Sequence, residues 1–222
     1  MFHLPQILST GELSELRDLA VRAPWLDGRI TAGASAAQQK RNQQVDETTD
    51  DGRAIAARVM KALQRNALFA AAAFPWRVSQ PLMNRYAPGM EYGPHVDNSL
   101  MGGNEPLRTD MSGTLFLSDP SDYDGGELIV ESSAGRQAVK LPAGDLFLYP
   151  STRVHYVAPV TRGARLGAVF WIQSLVRDHE QRTLLFEISQ VLSVLQQERG
   201  QTPEIVRLTA CYHRLVQMWA QP

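Results

Sequence analysis

Residues 145–173 read DLFLYPSTRVHYVAPVTRGARLGAVFWIQ, and this stretch decides the fold class of the chain. It contains three short runs rich in β-branched and aromatic residues, at 145–149, 154–158 and 165–173, with proline and glycine between them. Runs of this length and composition, bounded by turn residues, predict β-strands. The stretch is therefore predicted to form three strands joined by short connections.

The same pattern continues upstream. Further runs of this kind lie at 77–86, 113–118, 126–131 and 136–141. Turn signals separate the runs, at Pro88-Gly89, Asp124-Gly125-Gly126 and Pro142-Ala143-Gly144-Asp145. Many short strands at regular spacing predict a sandwich, a jelly roll or a barrel, whereas strands alternating with helices would predict a parallel α/β sheet.

The N-terminal part of the chain has the hydrophobic period of helices. Residues 1–75 are predicted to form a helical support region, in which Ser9 and Glu12 have capping-box spacing. A second helix is expected to begin near Asp50, where acidic residues favour the positive end of the helix dipole. The segment 28–47 between these helices is interpreted as a loop, or as an edge strand followed by a loop.

The C-terminal part is also predicted to be helical. Residues 76–176 form the β domain, and residues 177–222 form an extension of two amphipathic helices. Gly200 ends the first of these helices, and Thr202-Pro203 begins the second. The two helices either cover the β domain or pair with another subunit to form a homo-oligomer.

Composition restricts the function classes. The net charge is −1, so the chain has no basic field that would recruit nucleic acid or anionic lipid. Its one cysteine, Cys211, excludes an internal disulfide and a thiolate zinc cluster. No stretch approaches the ~20 apolar residues of a spanning helix, and the first residues lack the pattern of a secretory signal. We expect a cytoplasmic protein that binds neither nucleic acid nor membranes.

Two of the five histidines lie in the β zone, and both are candidate metal ligands. His95 and Asp97 are two positions apart, and such positions on an extended strand share a face. An imidazole and a carboxylate can therefore converge on one ion, with His155 from another predicted strand as the third ligand. This set leaves three coordination positions open, as in non-haem Fe(II) oxygenases, although the ligands alone also admit zinc or manganese.

Arg165 begins the strand that follows His155 and is predicted to reach the same pocket. A buried guanidinium binds a carboxylate bidentately, and the distal carboxylate of 2-oxoglutarate is a suitable partner. Gly167, two residues further, would leave room beside Arg165, and Trp171 could form a pocket wall. The alternative is that Arg165 forms a structural ion pair with Asp145.

These residues belong to a longer series of motifs. The series comprises YAPGMEYGPHVD (86–97), GGEL (125–128), GDL (144–146), HYVAPVTRGAR (155–165), WIQS (171–174) and VRD (176–178). It resembles the catalytic domain of prolyl and lysyl hydroxylases. Over nearly the full length, including the helical tail, the chain is similar to the bacterial PKHD-type hydroxylases.

The resemblance implies a mainly β fold, with a double-stranded β-helix (jelly-roll) core and flanking helices. It implies that His95, Asp97 and His155 bind Fe(II), that Arg165 binds 2-oxoglutarate, and that Tyr86 also contacts this co-substrate. O2 is the other co-substrate, and ascorbate sustains such enzymes. The implied reaction is hydroxylation with release of succinate and CO2. Related halogenases have Gly or Ala at the acidic position, whereas this chain retains Asp97.

The function retains alternatives at this stage. A jelly-roll protein that binds a metal or small ligand without turnover is one alternative. A metal-dependent hydrolase or isomerase is another, but it would not explain Arg165. The substrate is either a small molecule, such as a siderophore, or a residue of a peptide or protein.

Several further residues have predicted positions near the pocket. Residues 98–111 form either a lid or a surface excursion, with Arg108 and Asp110 contacting substrate or pinning this loop. Lys40, Asn42 and Gln44, which alternate along the chain, are predicted to approach the pocket. Met90 and Tyr92 either line the pocket or pack within their strand, and packing is favoured. No site role is expected for His3, His179 and His213.

Overall fold

The computed structural model describes residues 1–31, 33, 37–102 and 105–221. Its helices are α1 (Thr10–Arg22), α2 (Asp50–Arg65), α3 (Ala67–Ala73), α4 (His179–Arg199) and α5 (Pro203–Trp219), with 3-10 turns at Gly28–Thr31 and Pro120–Asp122. Its strands are β1 (Phe2–Leu4), β2 (Trp25–Asp27), β3 (Lys40–Arg41), β4 (Gln43–Val45), β5 (Pro75–Val78), β6 (Leu82–Tyr86), β7 (Glu91–His95), β8 (Leu100–Met101), β9 (Leu107–Arg108), β10 (Met111–Phe116), β11 (Tyr123–Gly125), β12 (Leu128–Ser132), β13 (Gly135–Val139), β14 (Leu146–Pro150), β15 (His155–Val157), β16 (Val160–Gly163) and β17 (Arg165–Ser174).

Two antiparallel sheets form the core of the fold. The eight-stranded major sheet has the order β1-β14-β10-β17-β6-β4-β2, and β5 also pairs with β17. The five-stranded minor sheet has the order β13-β12-β15-β7-β3. Strands that are neighbours in a sheet but distant in the sequence, such as β10 and β17, require the long crossover connections that are typical of a jelly roll. The predicted fold class is therefore confirmed.

Every residue of β10 is buried, and so is every residue of β14, because both faces of the major sheet are covered. On one face, Leu115, Leu146 and Phe170 belong to a core cluster with α1, α2 and α3. On the other face, Phe116 and Phe147 pack against strands of the minor sheet. Burial on both sides explains why these strands have continuous apolar runs.

The predicted helix boundaries are confirmed. Ser9 and Glu12 form the capping box of α1, and α2 begins at Asp50 with Thr49 as its N-cap. Gly200 ends α4, and Thr202 caps α5. These signals are local, since each involves groups within one turn of the helix end.

The region 1–75 also contributes strands that the helical prediction did not include. β1 pairs with β14, β2 and β4 extend the major sheet, and β3 pairs with β7. These strands have two or three residues, which is too short for a period to be recognised. The segment 28–47 is predicted to be a loop, or an edge strand followed by a loop, and it contains the strands β3 and β4. Residues 32 and 34–36 of this segment lie outside the described part of the chain.

The C-terminal helices cover the domain. The Phe186 ring of α4 lies against the Phe2 ring, with centroids 4.9 Å apart, and Leu185 and Leu192 are buried. The buried Arg182 donates to the backbone oxygens of Val176 and Arg177. Among the helices that the structure describes, none has the length and apolar character needed to cross a bilayer.

Candidate active site

A cavity of about 420 Å³ lies between the two sheets. Side chains from both sheets line it, including His95, Asp97 and His155 on one side and Arg165 and Trp171 on the other. Its size is typical of small-molecule sites, for which about 300–1,000 Å³ is usual. The cavity thus brings together the residues that the sequence singled out from separate stretches.

The two histidines meet because their strands are neighbours in the minor sheet. His155 of β15 is the direct cross-strand partner of His95 in β7, and their ring centroids are 4.2 Å apart. Asp97 follows two residues after the end of β7, and its Oδ2 lies 3.6 Å from Nε2 of His155. One potential ligand atom from each of the three residues lies within 4.8 Å of the others. The predicted triad therefore forms one cluster.

Hydrogen bonds define which ring nitrogen of each histidine faces the cluster. Nδ1 of His95 lies 2.9 Å from the carbonyl oxygen of Gly93, and Nδ1 of His155 lies 2.9 Å from that of Arg153. A carbonyl oxygen only accepts, so both Nδ1 atoms carry the proton when the rings are neutral. Each Nε2 then keeps a lone pair, which is the form that binds a metal.

The environment keeps His95 neutral. Burial, followed by the proximity of His155, lowers the pKa of His95 to about 4. A neutral imidazole is the state required of a ligand. The electrostatics of the cluster therefore favour metal binding at neutral pH.

Asp97 is positioned by two serines that the sequence interpretation missed. Ser112 donates a 2.5 Å hydrogen bond to Oδ2 of Asp97, and the hydroxyls of Ser112 and Ser151 lie 2.8 Å apart. Both serines are buried. The expectation that strand pleating alone aligns Asp97 with His95 is therefore incomplete, because β7 ends at His95 and a contact from β10 holds the carboxylate.

Tyr92 lines the cavity and also packs against the cluster of Tyr86, Val157 and Val160, so both interpretations of this residue apply. Its ring stacks on His95, with centroids 3.7 Å apart and an interplanar angle of 17°. Simple alternation would place residues three apart on opposite faces. The register of β7 against β15 shifts between His95 and Tyr92, and this irregularity brings both rings to one side. Met90 packs with Tyr86, as predicted.

Arg165 is 2% exposed and lies between two aromatic rings. Its guanidinium carbon is 5.4 Å from the Tyr86 ring centroid and 5.3 Å from that of Phe116. No carboxylate of the described residues lies within salt-bridge distance, and Nε has no hydrogen-bond partner there. A Cβ on Gly167 would lie 3.5 Å from Nη1 of Arg165, so the predicted space beside the guanidinium is present.

Asp145 is engaged elsewhere. It accepts from Nε2 of His3 at 2.7 Å and from the backbone N–H of Gln6 at 2.9 Å. The alternative of an Arg165–Asp145 ion pair is therefore wrong, because β1 provides the partner of Asp145. A buried guanidinium that has no counter-ion among the described residues is a suitable partner for the carboxylate of a ligand.

Tyr86 pairs with Arg165 across β6 and β17. Burial raises the pKa of Tyr86 to about 12, although the nearby Arg165 acts in the opposite direction. The hydroxyl therefore stays protonated and can donate a hydrogen bond into the cavity. Tyr149, which sequence reasoning missed, lies on the cavity wall with its ring centroid 5.0 Å from that of His155.

Lys40, Asn42 and Gln44 alternate along β3, the residue that follows it, and β4. Lys40 lines it directly. Asn42 donates to Asn84 of the cavity wall at 3.0 Å, and Gln44 accepts from Thr31 at 2.7 Å. The prediction holds for Lys40, while Asn42 and Gln44 lie behind the wall.

The segment 98–111 contains the hairpin of β8 and β9, with residues 103–104 outside the described part. Arg108 pairs with Asp110 at 2.8 Å and donates to the backbone oxygen of Ser174. Asp110 accepts from the Ser174 N–H at 2.8 Å. These two residues therefore pin the segment to the end of β17, while Met101 reaches the cavity.

Comparison with known proteins agrees with this geometry. The family model of the 2OG-Fe(II) oxygenase superfamily matches residues 81–173, and that of the PKHD-type hydroxylase C-terminal domain matches residues 179–221. A PKHD-type hydroxylase of Janthinobacterium sp. (strain Marseille) is 48% identical over 99% of both chains. Another, of Phenylobacterium zucineum (strain HLK1), is 48% identical over 100% of this chain and 99% of its own.

Solved structures share the fold. A prolyl hydroxylase from Trichoplax adhaerens, in complex with a hypoxia inducible factor peptide fragment, has a TM-score of 0.56 at 16% identity, over 82% of this chain and 86% of that one. A prolyl-4-hydroxylase from Pseudomonas putida has a TM-score of 0.51 at 20% identity, over 78% and 91%. HygX from Streptomyces hygroscopicus, with nickel, 2-oxoglutarate and hygromycin B, has a TM-score of 0.51 at 16% identity, over 76% and 80%.

The distant structures support the jelly-roll architecture, and the close sequence relatives determine the family. The identity of 48% over the full length to curated members and the two family models agree on one family. The chain belongs to the PKHD-type hydroxylase family of 2-oxoglutarate- and Fe(II)-dependent dioxygenases.

Proposed function

We propose that His95, Asp97 and His155 bind Fe(II), and that Arg165 binds the distal carboxylate of 2-oxoglutarate, during hydroxylation of a small-molecule or peptidyl substrate. The observation that carries this proposal is the triad, whose potential ligand atoms lie within 4.8 Å of one another in a cavity that also contains Arg165. Tyr86 is assigned the second contact to the co-substrate, because its buried phenol lies beside the guanidinium.

The residues fit the groups that this reaction needs. Two imidazoles with free Nε2 atoms and one carboxylate suit ferrous iron and leave positions for other ligands. The uncompensated guanidinium suits a dicarboxylate. Bound ferrous iron and 2-oxoglutarate would supply the oxidising chemistry together with O2: one oxygen atom of O2 enters the succinate formed, with CO2, from 2-oxoglutarate, and the other becomes the hydroxyl oxygen of the substrate.

The side chains of this protein bind and orient the co-substrate, and they exclude water from the cavity. Arg165 and Tyr86 fix the distal end of the co-substrate, and the apolar Leu128 and Val157 line the same cavity. Carbonyl partners hold the imidazole rings of His95 and His155 in one tautomer. Pre-set orientation of this kind is the contribution of the protein to such reactions.

Decarboxylation of 2-oxoglutarate in the presence of ferrous iron tests the assignment. We expect no activity above background for His95→Ala, and a rise of about 100-fold in the KM for 2-oxoglutarate for Arg165→Met, because loss of a buried charge partner costs about 2–5 kcal/mol. Arg162→Met is the matched control, since Arg162 is an exposed arginine on the preceding strand that pairs with Asp124.

An Arg165→Met variant with the KM of the wild type would refute the role of Arg165. A wild-type protein that binds ferrous iron and 2-oxoglutarate without releasing CO2, alone or with substrates, would favour the alternative of a non-catalytic binding protein.

We further propose that ascorbate sustains turnover, that the enzyme works in the cytoplasm, and that the C-terminal helices pair two copies. Exposed apolar side chains on these helices support pairing: Val191 is 55% exposed and Met218 is 69% exposed. Ferrous iron and the free thiol of Cys211 are both stable in a reducing compartment. Light scattering of the purified protein that gives a monomer would contradict the pairing.

A further inference from the structure

Lys40 is a cation that the proposed chemistry does not use. It lines the cavity although it is only 8% exposed. Its Nζ donates one hydrogen bond of 3.1 Å, to the hydroxyl of Thr31. Among the described residues, no carboxylate lies within 4.0 Å of Nζ. A buried ammonium without a counter-ion costs several kcal/mol, so its presence here requires a reason.

The ammonium is held in a defined place. Thr31 donates to Gln44 at 2.7 Å and thereby presents its oxygen to Nζ of Lys40. Lys40 also pairs across the sheet with Tyr92, and Nζ lies 5.3 Å from that ring. An ammonium has three N–H bonds. Two of them have no acceptor within the described part of the chain and are available to a ligand.

The co-substrate does not account for this cation. On the proposed function, one carboxylate of 2-oxoglutarate lies at the metal and the other at Arg165. Arg165 is on β17 of the major sheet, whereas Lys40 is on β3 at the edge of the minor sheet. The cavity therefore has one positive group more than 2-oxoglutarate requires.

We propose that Lys40 binds an oxyanion of the substrate, a carboxylate or a phosphate, and so selects an acidic substrate. This inference rests on the proposed function, because it assigns 2-oxoglutarate to Arg165. The location of Lys40 beside Tyr92, which stacks on His95, places the anionic group of the substrate next to the reaction centre.

The ionisation state agrees with this role. Burial lowers the pKa of Lys40 to about 8, while Asp97 and Asp27 act in the opposite direction. The other titratable groups of β3 and of its neighbour β7 are Arg41, Glu91, Tyr92 and His95, of which Arg41 and Glu91 pair with each other. At neutral pH the amine is mostly protonated. An anion beside it would raise its pKa and so favour the protonated form.

NMR of methylated lysines tests the proposal, because the chain has only three lysines, Lys40, Lys61 and Lys140. Reductive ¹³C-methylation keeps the charge, and lysine-to-arginine variants assign the three signals. The protein is loaded with Zn(II) and 2-oxoglutarate at constant ionic strength and titrated with acetate, phosphate or acetamide. We expect a saturable shift of the Lys40 signal with acetate or phosphate and none with the neutral acetamide.

Acetate and phosphate distinguish the two oxyanions, and Lys61 and Lys140 serve as internal controls. The proposal would be overturned if the chemical shift of the Lys40 signal changes with neither anion, or if it changes equally with acetamide. A Lys40 signal that reaches its end point with 2-oxoglutarate alone would also overturn it, since Lys40 would then belong to the co-substrate site. The signals of ¹³C-labelled 2-oxoglutarate in the same sample report its binding, so failure of the proposed function is recognised separately.

A second measurement covers the case in which methylation unfolds the protein. Unmodified protein loaded with Zn(II) and 2-oxoglutarate is heated with and without acetate or phosphate. We expect the anion to raise the Tm of the wild type and of Lys61→Met by the same amount, and to leave the Tm of Lys40→Met unchanged. An equal rise in all three proteins would overturn the proposal.

Discussion

Ser112 determines where the carboxylate of Asp97 lies. Its hydroxyl donates to Oδ2 of Asp97 at 2.5 Å and is itself in contact with the hydroxyl of Ser151. Asp97 follows the end of β7, so no strand pairing fixes its backbone. The hydrogen bond from β10 supplies the orientation that Asp97 would need as the proposed metal ligand.

We predict that Ser112→Ala weakens metal binding by about 10–100-fold, the usual effect of removing a hydrogen bond to a metal ligand. Competition with a chromophoric chelator measures this affinity. Ser133→Ala, at an exposed turn, is the control. Unchanged affinity in a correctly folded Ser112→Ala protein would show that Asp97 needs no such support.

The sequence identified the residues whose signals are local. His95 and Asp97 are two positions apart, and Arg165 begins a recognisable strand. The contact of Ser112 with Asp97 joins residues that are 15 positions apart. It forms because the three-dimensional fold brings β10 close to the residues that follow β7. Nothing near Ser112 in the sequence indicates that contact, so its role could not be predicted.

The connection between β16 and β17 delivers Arg165 to the cavity. Gly163 ends β16 with φ of +70°, a conformation that suits glycine. A Cβ at this position would also overlap the carbonyl oxygen of Asp122. The chain therefore requires glycine two residues before the guanidinium that is proposed to bind 2-oxoglutarate.

We predict that Gly163→Ala destabilises the protein by more than about 1 kcal/mol, because alanine disfavours positive φ and has no space here. Denaturant unfolding measures the change. Gly11→Ala is the control: Gly11 lies in α1 with nothing within 4 Å of an added Cβ, and alanine there should be neutral or stabilising. Equal stability of Gly163→Ala and the wild type would refute the steric argument.

Elements with a clear period or cap were predicted, and short or irregular ones were not. The capping box of α1 and the Thr202-Pro203 start of α5 can be read directly from residue types. The strands β1 to β4 are too short to show alternation. The register shift in β7, which brings Tyr92 and His95 to one side, has no signal in the sequence.

At the scale of the whole molecule, the boundary predicted at 176/177 separates two kinds of secondary structure that are closely packed. Buried Arg182 donates to backbone oxygens before α4, and the N–H of Gln221 returns to the oxygen of Leu175. Phe186 covers Phe2 of the edge strand β1. The boundary stays a prediction, and these contacts bear on whether either part is stable alone.

We predict that removal of residues 177–222 lowers the Tm strongly or prevents folding, because it exposes the core that α4 covers. Removal of residues 201–222 is the control. It should have a smaller effect, since Ile205 is the buried residue of α5. Thermal unfolding of both truncated proteins measures the difference. A protein ending at residue 176 that keeps the Tm of the full chain would establish an independent domain.

If His95 and His155 bind iron as proposed, their direct cross-strand pairing makes iron binding depend on correct folding. A slip of one position between β7 and β15 would turn one imidazole to the opposite side of the minor sheet. Asp97 is aligned from the major sheet, so its contribution needs both layers assembled. Only molecules with the native register of β7 against β15 would then retain iron. Bound iron would therefore stabilise the native register relative to misaligned forms.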